Sequence, residues 1–317
     1  MTHTNSNTAR RVLVTGGAGF IGSHVCQALQ ALGWETHALD SLATGDRGNV
    51  PAGVALHVAD IRAEGDVRAL LRDQRFDSIV HCAAQTSVER SMLDPDLDRD
   101  VNAGGTRHLL DAARVVGVGR FVFMSSGGAI YGETDEPATE RSVPGPRSFY
   151  GIHKYVAEEF VRAGGLPFAV LRPSNVYGPR QRSDAEGGVI AIFCQRLSAG
   201  QRLEIHGDGT QARDFVYVND VVDAVRLALE STDDVIWNVS SGTATSVIEA
   251  AQQVARVIGC AAQLDFRPRR AGDVTRSLVS PASLRATGRW GPPLRLEDGL
   301  RAFAGRAALA AAGQETG

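Results

Sequence analysis

From Arg11 to about Arg172 the chain alternates short apolar runs with longer helix-like stretches. RVLVT (11–15), ETHALD (35–40), VALHVAD (54–60), DSIVHCAA (77–84), RFVFMSS (120–126) and PFAVLRP (167–173) have the length and β-rich content of buried strands. Between them, FIGSHVCQALQALG (20–33) and the stretches 62–74, 97–117 and 148–164 read as helices, the first closing on Gly33. Strand–helix alternation with short buried strands predicts an α/β fold built on a doubly wound parallel sheet. In such sheets ligands bind outside the carboxyl ends of the strands.

After Pro173 the pattern becomes irregular, with GPRQRSDAEGG, HGDGTQARD and RPRRAGD between short apolar pieces. This predicts a smaller lobe for a second ligand, formed by 174–211 and 235–317. The amphipathic VNDVVDAVRLALE (218–230) suggests that about 212–234 returns to the large lobe of 1–173. The polar first eleven residues read as a loose tail without a signal-peptide core, and the Ala- and Gly-rich last dozen as a frayed end.

The 317 residues carry a net charge of −3 and no basic stripe, which argues against a nucleic-acid partner. Apolar runs stay well below the roughly 20 residues of a membrane span. Cys26, Cys82, Cys194 and Cys260 are too scattered for a disulfide framework or a metal site, a usage that fits the reducing cytoplasm.

Candidate chemistry falls at the strand ends. VTGGAGFIGSH (14–24) places Gly16-x-x-Gly19-x-x-Gly22 between a strand and a helix. Glycines there permit a tight turn and let a pyrophosphate reach the helix N-terminus. Asp40 ends the next strand, where a carboxylate accepts from adenosine ribose hydroxyls and repels a 2′-phosphate. No arginine directly follows it, so NAD is expected rather than NADP. Asp60 stands at the third strand end, placed either to reach the adenine or to cap a helix. Tyr150 and Lys154 are four apart and share one helix face. A phenol titrates near 10 in isolation; a neighbouring ammonium and a nicotinamide cation favour its phenolate, making Tyr150 a candidate general base.

Together TGGAGFIGSH, HCAAQTSVERS, NAGGTRHLLDAA, SSGGAIYGE, YGIHK, RPSNVYGPRQ, GDGTQARDFVYVNDV and RRAGD resemble the extended short-chain dehydrogenase/reductases. More narrowly, they resemble the NAD-dependent nucleotide-sugar epimerases and dehydratases of the UDP-glucose 4-epimerase type, in order from about Arg11 to about Leu300. The resemblance implies a Rossmann-type large lobe, a tightly held NAD and a homodimer paired through the 97–117 and 148–164 helices. Around the cofactor it implies Gly16, Gly19, Phe20, Ile21 and Gly22, then Asp40, Ser41, Thr44, Gly45, Asp60 and Ile61. Further along come Cys82, Ala83, Ala84, Gln85, Asn102, Ser125, Tyr150, Lys154 and Pro173. For a UDP-sugar it implies Thr86, Ser126, Asn175, Val189, Ile205, Arg213, Arg270 and Ser277. Arg213 and Arg270 would grip the diphosphate; each could instead form a surface ion pair, with Asp214 or Asp273.

One departure bears on the chemistry. Relatives carry a helpful Ser or Thr four residues before the tyrosine of AIYG, and here that position is Gly127. Ser126 is the nearest hydroxyl and the expected substitute, with Ser125 the alternative. Sugar dehydratases of the family place an Asp-Glu pair just after this position, whereas this chain has Gly128 and Ala129, which transfer no proton. The expectation is therefore a redox-neutral 4-epimerase acting through a 4-keto sugar. Ser277, where a tyrosine would restrict the hexose pocket, suggests room for N-acetylated sugars. Alternatives are an epimerase or reductase on another nucleotide sugar, such as UDP-glucuronate or a deoxy-dTDP-sugar, or a non-catalytic NAD-binding protein. His24, Cys26 and His153 read as packing or surface residues, and Cys82 as a thiol packed beside the cofactor.

Overall fold

The computed structural model describes residues 10–134, 136–183, 188–269 and 274–304. Seven parallel strands form the large sheet: β1 (Arg11–Thr15), β2 (Glu35–Asp40), β3 (Ala55–Val58), β4 (Ser78–His81), β5 (Arg120–Met124), β6 (Phe168–Pro173) and a later strand, Val235–Val239. Their order is Val235–Val239, β6, β5, β4, β1, β2, β3. The order reverses between β1 and β4, and the crevice there is where such sheets bind ligands. Successive residues of a strand face opposite sides of a sheet. Val12 and Val14 thus enter one core with α1 (Phe20–Ala31), while Leu13 enters the other. Burial on both faces explains why these strands read as continuous apolar runs.

The second core face is covered by α2 (Glu64–Gln74), and by two helices that flank the catalytic candidates. The region expected as one helix over 97–117 is broken up. It follows α3 (Val88–Leu93) as α4 (Pro95–Arg99), a π-helical turn at Asp100–Gly105 and α5 (Thr106–Val116). Such π segments recur at functional sites. Here the wider turn contains Gly105, whose missing Cβ makes room for Ile61; a methyl would lie 2.6 Å from Ile61 Cδ1. A short α6 (Gly127–Ile130) follows β5, and α7 (Phe149–Ala163) is capped by Ser148, which accepts from the Gly151 N–H at 3.2 Å.

The smaller lobe has a four-stranded sheet in which β7 (Asn175–Tyr177) pairs with Ala212–Tyr217, which also pairs with Ala244–Ser246 and Arg276–Ser277. A separate parallel pair joins β8 (Leu203–His206) to Leu264–Arg267. Helices α8 (Val189–Ser198) and Val247–Ile258 close over a core that includes Phe193, Ile205, Phe215 and Val254.

The boundaries read from the sequence shift accordingly. Ala212–Tyr217, here β9, belongs to the small-lobe sheet, and Val235–Val239, here β10, is the edge strand of the large sheet. Between them α9 (Val218–Glu230) buries Val221, Ala224, Val225 and Ala228 in the large-lobe core, as its periodicity predicts. Strand β10 went to the wrong lobe because its register partner, β6, lies some 65 residues earlier in the chain. The tail at 1–9 and the end at 305–317 lie outside the described residues.

Candidate active site

The glycine turn is built by steric exclusion. Gly16 has φ +68°, and its N–H donates to the Leu39 carbonyl at 2.7 Å. A Cβ on Gly16 would fall 2.7 Å from the Ala83 nitrogen, and one on Gly22 would fall 2.1 Å from the Gly16 oxygen. Gly19 is the N-cap of α1 and supplies no capping side chain, so the first-turn N–H groups and the helix dipole face the crevice. Phe20 and Ile21 open the helix and pack against the small-lobe core.

Asp40 ends β2, buried, and its carboxylate accepts from Ala18 N at 3.0 Å and Leu42 N at 2.8 Å. Gly45 lies against it: a Cβ there would be 2.7 Å from Asp40 Oδ1. Ser41 and Thr44 are exposed on the same loop. Asp60 is not a helix cap. It accepts from Arg62 N at 2.8 Å and pairs with the Arg62 guanidinium, which holds its carboxyl below the usual range. Ile61 beside it is buried under Gly105.

The β4 end is fixed by a chain of side chains that the sequence does not announce. Ala83 N donates to Thr15 Oγ1 at 3.2 Å, and Thr15 meets His81 Nδ1 at 2.6 Å. His81 Nε2 meets Thr106 Oγ1 at 2.9 Å, and Thr106 donates to the Asn102 carbonyl at 2.6 Å. Only one polarity satisfies every group: His81 is neutral, with its proton on Nε2. Burial, with the Lys154 charge nearby, drives His81 down to about 3 and so keeps it neutral. Cys82 follows, its thiol pushed up to about 12 by burial and therefore unreactive. Ala84, Gln85 and exposed Thr86 continue the loop toward α3.

Ser126 and Tyr150 meet. Burial raises the Tyr150 phenol to about 12, and the neighbouring Ser126 side chain works against that rise. Lys154, one turn along α7 and only 3% exposed, donates from Nζ to the Met124 carbonyl at 2.6 Å and sits 4.4 Å from the Phe123 ring centroid. Burial lowers its ammonium to about 8. Ser125 Oγ is buried and, among the described residues, finds no partner. Gly127 is a glycine for a local reason. A Cβ there would lie 2.9 Å from the Arg172 carbonyl and 3.3 Å from that of Pro173, so the hydroxyl falls to Ser126. Tyr131, the tyrosine of AIYG, anchors the loop from behind: its hydroxyl accepts from Arg172 at 2.7 Å and donates to Asn238 at 2.8 Å.

His153 is not a plain surface residue. Its Nδ1 lies 2.7 Å from Asp98 Oδ2, and the Asp98 side chain is fully buried. Asp98 and His153 were missed because a lone acid in DPDLDRD gives no local sign of burial; only the packing of α4 on α7 joins them.

A cavity of about 730 Å³ is walled by the small lobe, with Glu89 of α3 at its edge; Ser126, Tyr150 and Lys154 do not line it. It is lined by Asn175, Val189 and Arg213 of the expected set, together with Glu89, His206 and Phe215. Asn175 also donates to the Asp214 carbonyl at 3.1 Å. The Asp214 carboxylate accepts from Ser174, Ser241 and the Gly242 N–H, so it serves the lobe junction. Ile205 does not line the cavity. It is fully buried in the small-lobe core, because alternation along β8 turns it inward. Ser277 is 5% exposed and pairs in register with Arg213. Arg270 and Asp273 lie outside the described residues. A smaller cavity of about 430 Å³, beside Gln252 and Arg295, contains none of the expected residues.

The residues fit NAD. The cradle excludes Cβ atoms where a pyrophosphate would lie, α1 presents uncapped N–H groups, Asp40 waits at the ribose position, and Ser125 carries an orphaned buried hydroxyl. A glycine turn on a parallel sheet, with a Tyr–Lys pair at its carboxyl edge, defines a dinucleotide-dependent dehydrogenase-type protein.

Comparison with known proteins narrows this class. The model of the NAD-dependent epimerase/dehydratase family matches residues 12–240, and the chain belongs to that family. The chain is 38% identical over 301 residues to a UDP-glucose 4-epimerase of Mycolicibacterium smegmatis, covering 92% of this chain and 96% of the relative. The Thermus thermophilus UDP-glucose 4-epimerase in complex with NAD superposes with a TM-score of 0.88 at 43% identity, over 92% of this chain and 97% of that one. The Thermotoga maritima UDP-glucose 4-epimerase with UDP-glucose gives 0.91 at 37% identity, over 94% and 99%.

Proposed function

We infer that the chain is an NAD-dependent epimerase that inverts C4 of a UDP-hexose through a 4-keto sugar. The observation that carries this reading is the Tyr150–Lys154 pair with Ser126 beside Tyr150, in a loop with no carboxylate at Gly128 or Ala129. The similar proteins from M. smegmatis, T. thermophilus and T. maritima, all UDP-glucose 4-epimerases, support it.

The chain's own groups would act as follows. Gly16, Gly19 and Gly22 hold the pyrophosphate of NAD at the α1 N-terminus, and Asp40 holds its adenosine ribose. NAD, when bound, supplies the acceptor for the C4 hydride and returns it. Arg213 and Asn175 orient the diphosphate of the sugar nucleotide in the cleft. A phenol near 12 is a poor base at neutral pH; Ser126 works against that rise, and the positive charge of Lys154 and of a bound cofactor would lower it further. Ser126 orients the C4 hydroxyl toward Tyr150. Tyr150 takes the hydroxyl proton as the ketone forms and gives it back after the sugar has turned. Dehydration would need an acid and a base beside C5 and C6, which positions 128 and 129 cannot provide.

We further propose that the large lobe holds NAD and the small lobe the UDP-sugar, in a cytoplasmic homodimer. Exposed Val115 on α5, and Phe149 and Ile152 on α7, support pairing through these helices. No helix among the described residues is long and apolar enough to cross a membrane. Sedimentation velocity would reveal the dimer. Ser277 is consistent with N-acetylated substrates as well. The reading is tested by incubating the protein, without added reductant, with UDP-glucose, UDP-galactose, UDP-N-acetylglucosamine and UDP-glucuronate and following C4 configuration by proton NMR. Interconversion of at least one neutral pair is expected; turnover of UDP-glucuronate alone would overturn it.

A further inference from the structure

A fully buried carboxylate near the active site takes no part in the chemistry above. Asp98, on α4, has a fully buried side chain. Its Oδ1 accepts from Gln85 Nε2 at 2.7 Å and from Asn102 Nδ2 at 3.0 Å. Its Oδ2 faces His153 Nδ1 at 2.7 Å. A carboxylate only accepts, so His153 carries its proton on Nδ1.

Each partner leads to a different part of the site. Gln85 belongs to the loop after β4, and its side chain bonds both the N–H and the carbonyl of Ser87, at 2.6 and 2.8 Å. Asn102 sits in the π turn and grips the Gln85 backbone, accepting from its N–H at 3.1 Å and donating to its carbonyl at 2.9 Å. His153 lies three residues after Tyr150 and immediately before Lys154. One carboxylate therefore ties the loop expected to face the cofactor to the helix that carries the Tyr–Lys pair. The other side of that helix is tied separately, by Glu158 to Arg172 at 2.9 Å. Two buried anchors on opposite sides leave α7 little freedom to slide or roll.

We propose that Asp98 is a positioning residue, acting through His153, that holds the catalytic helix and the cofactor loop in one frame. The inference rests on the proposed epimerase reading for its rate effects, but its cofactor arm does not. Donors left unpaired in the interior are costly, and misplacing a reacting group by about 1 Å costs roughly 10²-fold in rate. The anchor needs an N–H at the place of Nδ1, which an asparagine side chain can supply and a leucine cannot.

The test compares His153→Asn with His153→Leu, and adds Asp98→Leu, which removes the acceptor. For His153→Leu the expected result is a kcat about 10²-fold lower, with KM and the NAD dissociation constant within about twofold. His153→Asn should recover to within about threefold of the parent, because it restores the donor. Asp98→Leu should bind NAD about tenfold more weakly by calorimetry, a readout that needs no turnover, because Gln85 and Asn102 lose their acceptor. If the two His153 variants behave alike, the N–H anchor is wrong. If a folded Asp98→Leu binds NAD like the parent, the link to the cofactor loop is wrong. A parent protein that binds NAD yet turns over no UDP-hexose would fail the epimerase reading, while the NAD affinity of Asp98→Leu would still decide this proposal.

Discussion

Ser126 is the proposed substitute for the hydroxyl missing at Gly127. The backbone cannot carry a side chain at 127 because the Arg172 carbonyl occupies the place of its Cβ, and the hydroxyl one residue earlier reaches Tyr150 instead. Ser126→Ala should therefore lower kcat about 10²-fold, the scale of a lost acid–base partner. Ser125→Ala should cost less than about tenfold, since one neutral hydrogen bond is worth about 1 kcal/mol. Steady-state rates of the two variants check the assignment; a larger loss at Ser125 would reverse it. Lys154 makes a second residue-scale prediction. Its ammonium titrates near 8 in the folded protein against 10.5 ordinarily. Between those values the unfolded chain binds the extra proton, so stability rises with pH through that window. The shift corresponds to roughly 3 kcal/mol; the buried thiols of Cys26, Cys82 and Cys194, raised by burial, oppose it from about pH 9, and Tyr150, raised to about 12, from about pH 10. Urea unfolding of the NAD-free protein should show the rise between about pH 8 and 9, before the thiols act, and Lys154→Met should remove it.

At the scale of elements, close packing decides what the glycine turn can do. Gly22→Ala places a methyl 2.1 Å from the Gly16 oxygen and must push α1 away from β1. A loss of about 1–3 kcal/mol in stability is expected, with weaker NAD binding, measured by denaturation and calorimetry. Most of the large-lobe elements were legible in the sequence because burial on both faces leaves unbroken apolar runs, and the helices between them keep one apolar stripe. The small lobe was less legible. Its strands are short and pair across long chain separations, as β8 does with Leu264–Arg267. The helix Val247–Ile258, not expected from the sequence, opens on a capping box of Ser246 and Glu249, with Gly259 at φ +81° closing it. Glycine spacing, Asp40, Ser126, Tyr150 and Lys154 were readable because they sit at strand ends or share a helix face. Asp98, His153 and the Thr15–His81–Thr106 chain were not, because their partners come from different elements. Ile205 was assigned to the pocket although the alternation along β8 turns it into the core.

For the whole molecule, the proposed function divides two tasks between two lobes. The large sheet presents the glycine turn, the carboxylate and the Tyr–Lys pair at its carboxyl edge, while Asn175 and Arg213 line the cavity of the small lobe. Affinity for the sugar nucleotide should thus separate from affinity for NAD. Arg213→Leu should raise KM for a UDP-hexose about 10- to 100-fold, the worth of a charge-assisted hydrogen bond, and leave NAD binding within about twofold. Parallel changes in both affinities would mean that the lobes do not divide the ligands in this way. The central claim is that C4 inverts by removal and return of the same hydride, with Tyr150 carrying the proton. The most direct measurement is turnover of UDP-galactose deuterated at C4, with no added reductant, followed by NMR. The account predicts UDP-glucose that keeps its deuterium at C4, and loss of this conversion in Tyr150→Phe. Conversion with the label washed into water, or undiminished conversion by Tyr150→Phe, would contradict it.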